Sequence, residues 1–389
     1  MSSFTGGQKV EPPIIARTLD LRTLAARKSH FVFGPRQTGK TFLAHRALGG
    51  ARLYDLLDSS TYLALSRDPG LLAQETGPRH EVVVIDEIQR LPELLNEVHR
   101  LIEQRGIRFV MTGSSARKLR RGGVNLLGGR ARTLRLHPLT SHELGEWFDL
   151  TTALTRGTLP SIYFSDDPAA DLDAYTGLYL QQEVMAEGIT RNIPAFSRFL
   201  RVAALCNATM VNFTNVANDA QVPRTTVYEY FQILQDTLVL HKLPAWRESR
   251  KRRPIASSKY YFFDAGVVGA LQGRHVRPGT REYGEAMETW LMNELVSWRD
   301  YVSSERLSYW RSASGFEVDF LLGEHTAIEL KASPRVFAHD LRSLRALAEE
   351  RVFKRLLCVS LEPRTRKVGD IVLMPMTRFL EQLWGGEFD

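Results

Sequence analysis

Residues 31–44 read FVFGPRQTGKTFLA, and the N-terminal third of the chain is organised around them. Three apolar residues suited to a buried strand run into a polar, glycine-bearing loop, and the loop runs into a helical pattern. The loop fits G-x-x-x-x-G-K-T with Gly34, Pro35, Arg36, Gln37, Thr38, Gly39, Lys40 and Thr41. The spacing has a physical cause. Glycines allow backbone angles that turn successive N–H groups inward, so the loop becomes an anion nest at a helix N-terminus. In that geometry Lys40 reaches the β and γ phosphates of a bound nucleotide and Thr41 ligates magnesium. The motif therefore implies ATP with Mg2+.

Two further strand ends support the same site. EVVVIDEIQR, residues 81–90, ends a buried apolar run in the carboxylates Asp86 and Glu87. Asp86 would hold the metal through water, and Glu87 would orient or deprotonate the attacking water. RFVMTGSSARKL, residues 108–119, delivers Thr112, Ser114 and Ser115 between the other two motifs, with Ser114 chosen as the γ-phosphate or water contact. A basic stretch follows: Arg117, Lys118, Arg120, Arg121, Arg130, Arg132 and Arg135, with no acid among them. Arg130, just before the last core strand, is placed to serve a neighbouring subunit as an arginine finger, an effect worth roughly 10³–10⁵ in rate. A nucleic-acid contact and a solvated face are the competing readings of the same arginines.

The alternation of short β-branched runs with helical patterns predicts strands at 30–33, 51–56, 81–85, 108–112 and 132–136. Five such strands make a doubly wound α/β domain over 1–137, with its ligand site at the strand ends. A helical lid is expected over 138–193, with helices at 142–148 and 172–187.

The segments GPRQTGKT, VVVIDEIQRLPELLNEVHRLIE, TGSSARKL and LLGGRARTLRLHPLTSHEL resemble a widespread prokaryotic family of AAA ATPases. The resemblance extends from about residue 12 onward. It implies an ATPase core, a small helical lid and a C-terminal nuclease-like fold.

Residues 213–243, FTNVANDAQVPRTTVYEYFQILQDTLVLHKL, read as a short helix, a tight turn at Val222 and Pro223, a second helix over 224–236 and a wing strand from 238. This is the order of a winged helix, expected over 194–255. Arg224, Thr225 and Thr226 fall on the first turn of the second helix, where side chains meet phosphates or base edges. A basic connector follows, with Arg250, Lys251, Arg252 and Arg253 at its centre. DNA contact is one reading of this region. A rigid spacer between domains is the other.

From 256 to 389 the pattern returns to α/β. Glu288 lies on a helix and Asp319 in a strand. Glu329 and Lys331 share one face of a second strand by period-two geometry. The set looks like the PD-(D/E)xK nuclease core, in which carboxylates hold magnesium and the lysine activates water. Val318 stands where that pattern has proline. Cleavage, DNA binding without cleavage, and a purely structural polar core all remain open on these residues.

The chain has 389 residues, 43% hydrophobic and 24% charged, ordinary values for a folded protein of several domains. Two cysteines, Cys206 and Cys358, form no disulfide framework and suit a reducing compartment. With no long apolar run, the expectation is a cytoplasmic protein without a membrane partner. The net charge of +7 favours an acidic partner. The leading expectation is an ATP-driven, DNA-acting homo-oligomer, with a ring among the forms open to it, moving on forked or branched DNA. A nucleotide-set signalling or defence switch and an ATP-gated nuclease are the alternatives.

Overall fold

The computed structural model describes residues 13–77, 81–117, 119, 127–179, 192–249 and 251–388. Strands β1 (Ser29–Phe33), β2 (Arg52–Asp55), β3 (Val82–Asp86), β4 (Arg108–Gly113) and β5 (Ala131–Arg135) form a parallel sheet in the order β2-β3-β4-β1-β5. Alternation along the strands sends side chains to two apolar layers. Phe31, Phe33, Val83, Ile85, Phe109 and Met111 meet helix Leu94–Arg105. Val32, Val84 and Val110 meet Leu43 and Ala44 of helix Lys40–Ala47. Strands buried on both faces read as continuous apolar runs, which is why 82–85 was legible.

Beyond β5 the chain turns helical. The expected helix at 142–148 is a short α-helix, Ser141–Leu144, followed by a 3-10 turn, Gly145–Trp147. Gly145 takes φ 52 and breaks the first. The expected helix at 172–187 starts earlier, as Pro168–Ala174, because Asp167 caps it and Pro168 occupies its first turn. It then widens into a π-turn, Tyr175–Tyr179, and residues 180–191 lie outside the described part.

Helices Ile193–Leu205, Phe213–Ala220 and Arg224–Asp236 pack around Phe196, Phe199, Tyr230 and Phe231. The predicted strand at 238 begins at 240, since Leu238 has φ 61, outside the extended region. A small antiparallel sheet completes this unit, ordered β6 (Thr209–Met210), β8 (Lys259–Phe262), β7 (Leu240–Leu243). The strand at 259, read from sequence as the opening of the C-terminal segment, hydrogen-bonds back to β7. Its residues alternate faces, so Tyr260 and Phe262 enter the helical core while Tyr261 enters the core of the C-terminal unit.

That C-terminal unit is a second, mixed sheet ordered β13-β14-β12-β11-β10-β9. Its strands are β9 (Leu307–Arg311), β10 (Glu317–Leu322), β11 (Thr326–Lys331), β12 (Arg355–Ser360), β13 (Arg366–Val368) and β14 (Ile371–Pro375). The long helix Arg281–Tyr301 packs Met287, Leu291 and Leu295 against it, and helix Arg342–Ala348 covers the opposite face with Leu344 and Leu347. Residues 244–249 and 251–255 run along the edge of this sheet. Trp246 N donates to Tyr309 O at 2.7 Å, and Ile255 N donates to Arg311 O at 2.8 Å.

Candidate functional site

The phosphate loop joins β1 to helix Lys40–Ala47, and its shape is set by close packing as well as by glycine freedom. A Cβ on Gly34 would meet Leu136 O at 2.3 Å, so no side chain fits there. Gly39 takes φ 88 and Gln37 φ 63. Lys40, 6% exposed, lies along the loop, with Nζ donating to Gly34 O at 2.8 Å and Pro35 O at 2.9 Å. The loop is also held from outside. Arg17 donates to Thr38 O at 2.8 Å and His137 O at 2.6 Å, and it pairs with Glu143 at 3.0 Å. Burial alone would lower the Arg17 pKa, but Glu143 and Tyr301 together outweigh it and raise it. From the helical segment, Ser161 Oγ donates to Gln37 Oε1 at 3.0 Å and Tyr175 OH donates to Arg36 O at 3.4 Å.

The acidic pair stands at the end of β3, where β2 and β4 flank it. Thr41 Oγ1 donates to Asp86 Oδ2 at 2.7 Å, so the two residues expected at the metal are together. Thr112 Oγ1 donates to Asp86 Oδ1 and accepts from Glu87 N at 3.1 Å. The β4 hydroxyl that reaches the acidic pair is therefore Thr112, whereas Ser114, two residues later and half-buried, is not the one placed against Asp86. Glu87 takes φ 60 and ψ 43, an uncommon conformation for a residue with a side chain, and one found at functional sites. Its carboxylate accepts from Gln89, a buried residue that the sequence reading passed over. Gly113 matters here too, because a Cβ there would meet Gln89 Oε1 at 2.3 Å. Thr41, Asp86 and Glu87 supply hydroxyl and carboxylate oxygens, the hard donors that suit Mg2+.

Beside Thr38 and Gly39 opens a cleft of about 270 Å³ lined by Ile14, Ile15, Phe42, Leu139, Pro160 and Phe164. An apolar slot next to a phosphate nest fits a flat heteroaromatic base. Sequence reasoning missed it, since its walls come from four separate stretches with no shared spacing.

Arg130 lies at the far end of the sheet from this site. Ser29 pairs with Ala131 and Phe33 with Arg135, so Arg130 precedes the start of β5 while Gly34 follows the end of β1. Five strand residues separate them, about 16 Å. Its guanidinium pairs with Glu103. It therefore does not reach its own subunit's phosphates.

Among the residues expected to touch DNA, Arg224 and Thr225 are exposed at the start of helix Arg224–Asp236 and Thr226 is half-buried. Arg224 donates to Tyr228 OH at 2.9 Å, and Tyr228 stacks on Phe213 with centroids 4.2 Å apart. In the basic connector Arg252 pairs with Glu349 at 2.8 Å and lies over the Phe316 ring, so its charge is largely committed within the chain. Lys251 and Arg253 are exposed, while Arg250 lies outside the described residues.

The C-terminal set is also brought together. Asp319 and Glu329 face each other across β10 and β11, one step from the Phe320–Ile328 pair. Asp319 Oδ2 accepts from Leu330 N at 2.8 Å, and Lys331 Nζ pairs with Glu329 at 2.8 Å. Burial and the Glu288 carboxylate push Asp319 up to about 7, and burial with Asp319 holds Glu329 well above the usual carboxylate range. Glu288 accepts from Tyr261 OH at 2.7 Å and pairs with Lys259 at 3.1 Å. Among the described residues no three His, Cys, Asp or Glu side chains converge as metal ligands. The magnesium implied by the nuclease resemblance does not fit this arrangement.

No helix among the described residues is long and apolar enough to cross a membrane.

The sequence model of an AAA domain matches residues 26–145. Residues 148–277 match a domain of unknown function, DUF8612, and residues 283–379 match another, DUF4143. Uncharacterized proteins of Mycobacterium bovis and Mycobacterium tuberculosis are each 26% identical over 362 residues, covering 89% of this chain and 80% of theirs. Among solved structures, a signal transduction ATPase with a tetratricopeptide repeat sensor from Pyrococcus horikoshii aligns at 13% identity and TM-score 0.25, over 75% of this chain and 47% of that one. The replication initiator DnaA, bound to AMPPCP and single-stranded DNA, aligns at 14% identity and TM-score 0.30, over 55% and 86%. These scores are too low to define a shared overall arrangement. Residues 26–145 carry an AAA domain, followed by two domains of unknown function.

Proposed function

We propose that the chain hydrolyses ATP with Mg2+ and couples the nucleotide state to DNA held on the helix-turn-helix unit. The observation that carries the hydrolytic half is the joining of Thr41, Asp86, Thr112 and Glu87 at one strand end, directly beside the phosphate loop. Lys40 would bind the β and γ phosphates, Thr41 and Asp86 would hold the metal, and Glu87, aimed by Gln89, would direct water at the γ-phosphate. The metal would neutralise developing charge on the phosphate oxygens.

The DNA half is supported by the exposed first turn of helix Arg224–Asp236, with Arg224 and Thr225 outermost, following a short helix and turn and preceding a pair of antiparallel strands. That order is the winged-helix order. The net charge of +7 fits a polyanionic partner. Steady-state ATP turnover with single-stranded, duplex, forked and four-way DNA tests the proposal, with Lys40→Ala as blank. Stimulation by one DNA form that Arg224→Ala removes is the expected result. Turnover indifferent to every form sinks the DNA half and leaves the ATPase half standing.

A second reading, a nucleotide-set switch without DNA, draws on the bracing of the loop. Arg17, Ser161 and Tyr175 tie Thr38, Gln37 and Arg36 to the neighbouring helical segment. Loop rearrangement on nucleotide binding would therefore be felt there.

A further inference from the structure

We infer that Lys259 is the resident cation of the C-terminal carboxylate cluster, taking the place of a divalent metal and latching the small sheet of the helix-turn-helix unit to the nuclease-like fold. The argument begins with strand alternation. β8 turns Tyr260 and Phe262 into the helical core, so Lys259 and Tyr261 are sent across the boundary into the second sheet's domain. There Lys259 is 3% exposed, unusual for a lysine. Its Nζ lies 3.1 Å from Glu288 Oε1 and 2.5 Å from Glu317 Oε1, and 5.3 Å from the centre of the Tyr309 ring.

The ammonium thus bridges a carboxylate on helix Arg281–Tyr301 and one on β10. Burial alone would lower the Lys259 pKa, but Glu288, Asp319 and Glu317 outweigh burial and raise it. The remaining charges are already matched within the chain. Arg311 binds Glu317 at 2.6 Å, and Lys331 binds Glu329. Four carboxylates, Glu288, Glu317, Asp319 and Glu329, therefore face three cations, Lys259, Lys331 and Arg311. A divalent ion brought among them would meet an ammonium at contact distance and find Asp319 Oδ2 occupied by Leu330 N. One carboxylate oxygen, Glu329 Oε2, is buried without a hydrogen-bond partner, so the cluster retains an acceptor that a cation would take if Lys259 were gone. A lysine from a neighbouring unit also makes the cluster a joint, because withdrawing β8 would leave Glu288 and Glu317 without their shared partner.

Mn2+ titration of the nucleotide-free full chain tests this without reference to ATP turnover or DNA. Wild type is expected to show no Mn2+ site that Asp319→Asn removes. Lys259→Met is expected to gain one Mn2+ site per chain, at least tenfold tighter than any in wild type, and Asp319→Asn in that background should abolish it. A wild-type Mn2+ site lost in Asp319→Asn overturns the inference, and so does a folded Lys259→Met that gains none. Should Lys259→Met fail to fold, the double variant Lys259→Met/Glu317→Met removes the Glu317 bridge as an apolar pair and is read in the same way. The wild-type titration decides the matter even if neither variant folds: absence of an Asp319-dependent site supports the inference and its presence overturns it.

Discussion

Thr41 Oγ1 donates a 2.7 Å hydrogen bond to Asp86 Oδ2, tying the first turn of the helix after the phosphate loop to the end of β3. The two residues are 45 apart in sequence, and they come together because β3 and β1 both flank β4 and end at the same edge of the parallel sheet. This hydroxyl and this carboxylate are the two groups proposed to hold Mg2+.

Lys40→Ala should weaken ATP binding. It removes the one ammonium lying along the loop, and charge-assisted bonds of this kind are worth about 1.5–3 kcal/mol each, roughly 10- to 100-fold in affinity. Calorimetric titration with a non-hydrolysable ATP analogue measures it. Unchanged affinity would contradict the site.

Glu87→Gln should leave ATP affinity within a few-fold and lower turnover by roughly 10²–10⁴, the usual range for losing a general base. The amide keeps the shape but cannot take a proton from water. Single-turnover hydrolysis separates the two effects, and full turnover would remove Glu87 from the mechanism.

The proposal that Arg130 completes a neighbouring subunit's site gives a complementation test. Arg130→Ala and Glu87→Gln should each be nearly inactive alone. Mixing them should restore turnover, since an Arg130→Ala subunit has an intact site that its Glu87→Gln neighbour can complete. No gain on mixing, or full activity of Arg130→Ala alone, would assign Arg130 to its surface pair with Glu103.

Arg17→Met should destabilise the AAA domain by about 3–5 kcal/mol, the range for breaking a buried ion pair and stranding its partner. Arg17 and Glu143 side chains are 7% and 1% exposed. Because Arg17 also holds Thr38 O, ATP affinity should fall although Arg17 faces no phosphate. Denaturant melts with and without nucleotide check both effects.

Glu294 should make stability pH-dependent. It is buried against Ser141, whose N and Oγ donate at 2.6 and 2.9 Å, and burial pushes its carboxyl from 4.5 up to about 7. Between those values the folded chain keeps the proton and the unfolded chain has lost it. The contribution is therefore fully present below about pH 4.5 and is lost as pH rises through about 7. Glu294→Gln should remove this part of the slope. Parallel slopes for the two proteins in urea melts from pH 5 to 8 would show that Glu294 titrates normally.

The parallel core was legible from 31–44 and 81–90 alone, because phosphate-binding geometry fixes both residue types and their spacing. The same holds for helix Arg224–Asp236, set off by Pro223 at its start. Local chemistry decides such features, so a local reading recovers them. Four others depend on which surfaces meet. Thr112 rather than Ser114 reaches Asp86 because β4 lies beside β3. Gln89 aims Glu87 because Gly113 leaves room for it. Arg17 braces Thr38 from 21 residues away. Lys259 stands a few residues beyond the basic connector in sequence, yet it lies among the carboxylates of the second sheet. Sequence determined the elements and the nucleotide chemistry of this protein. Tertiary structure decided the partners of its charges, because an ion buried between units takes its identity from whichever opposite charge packing brings within about 3 Å.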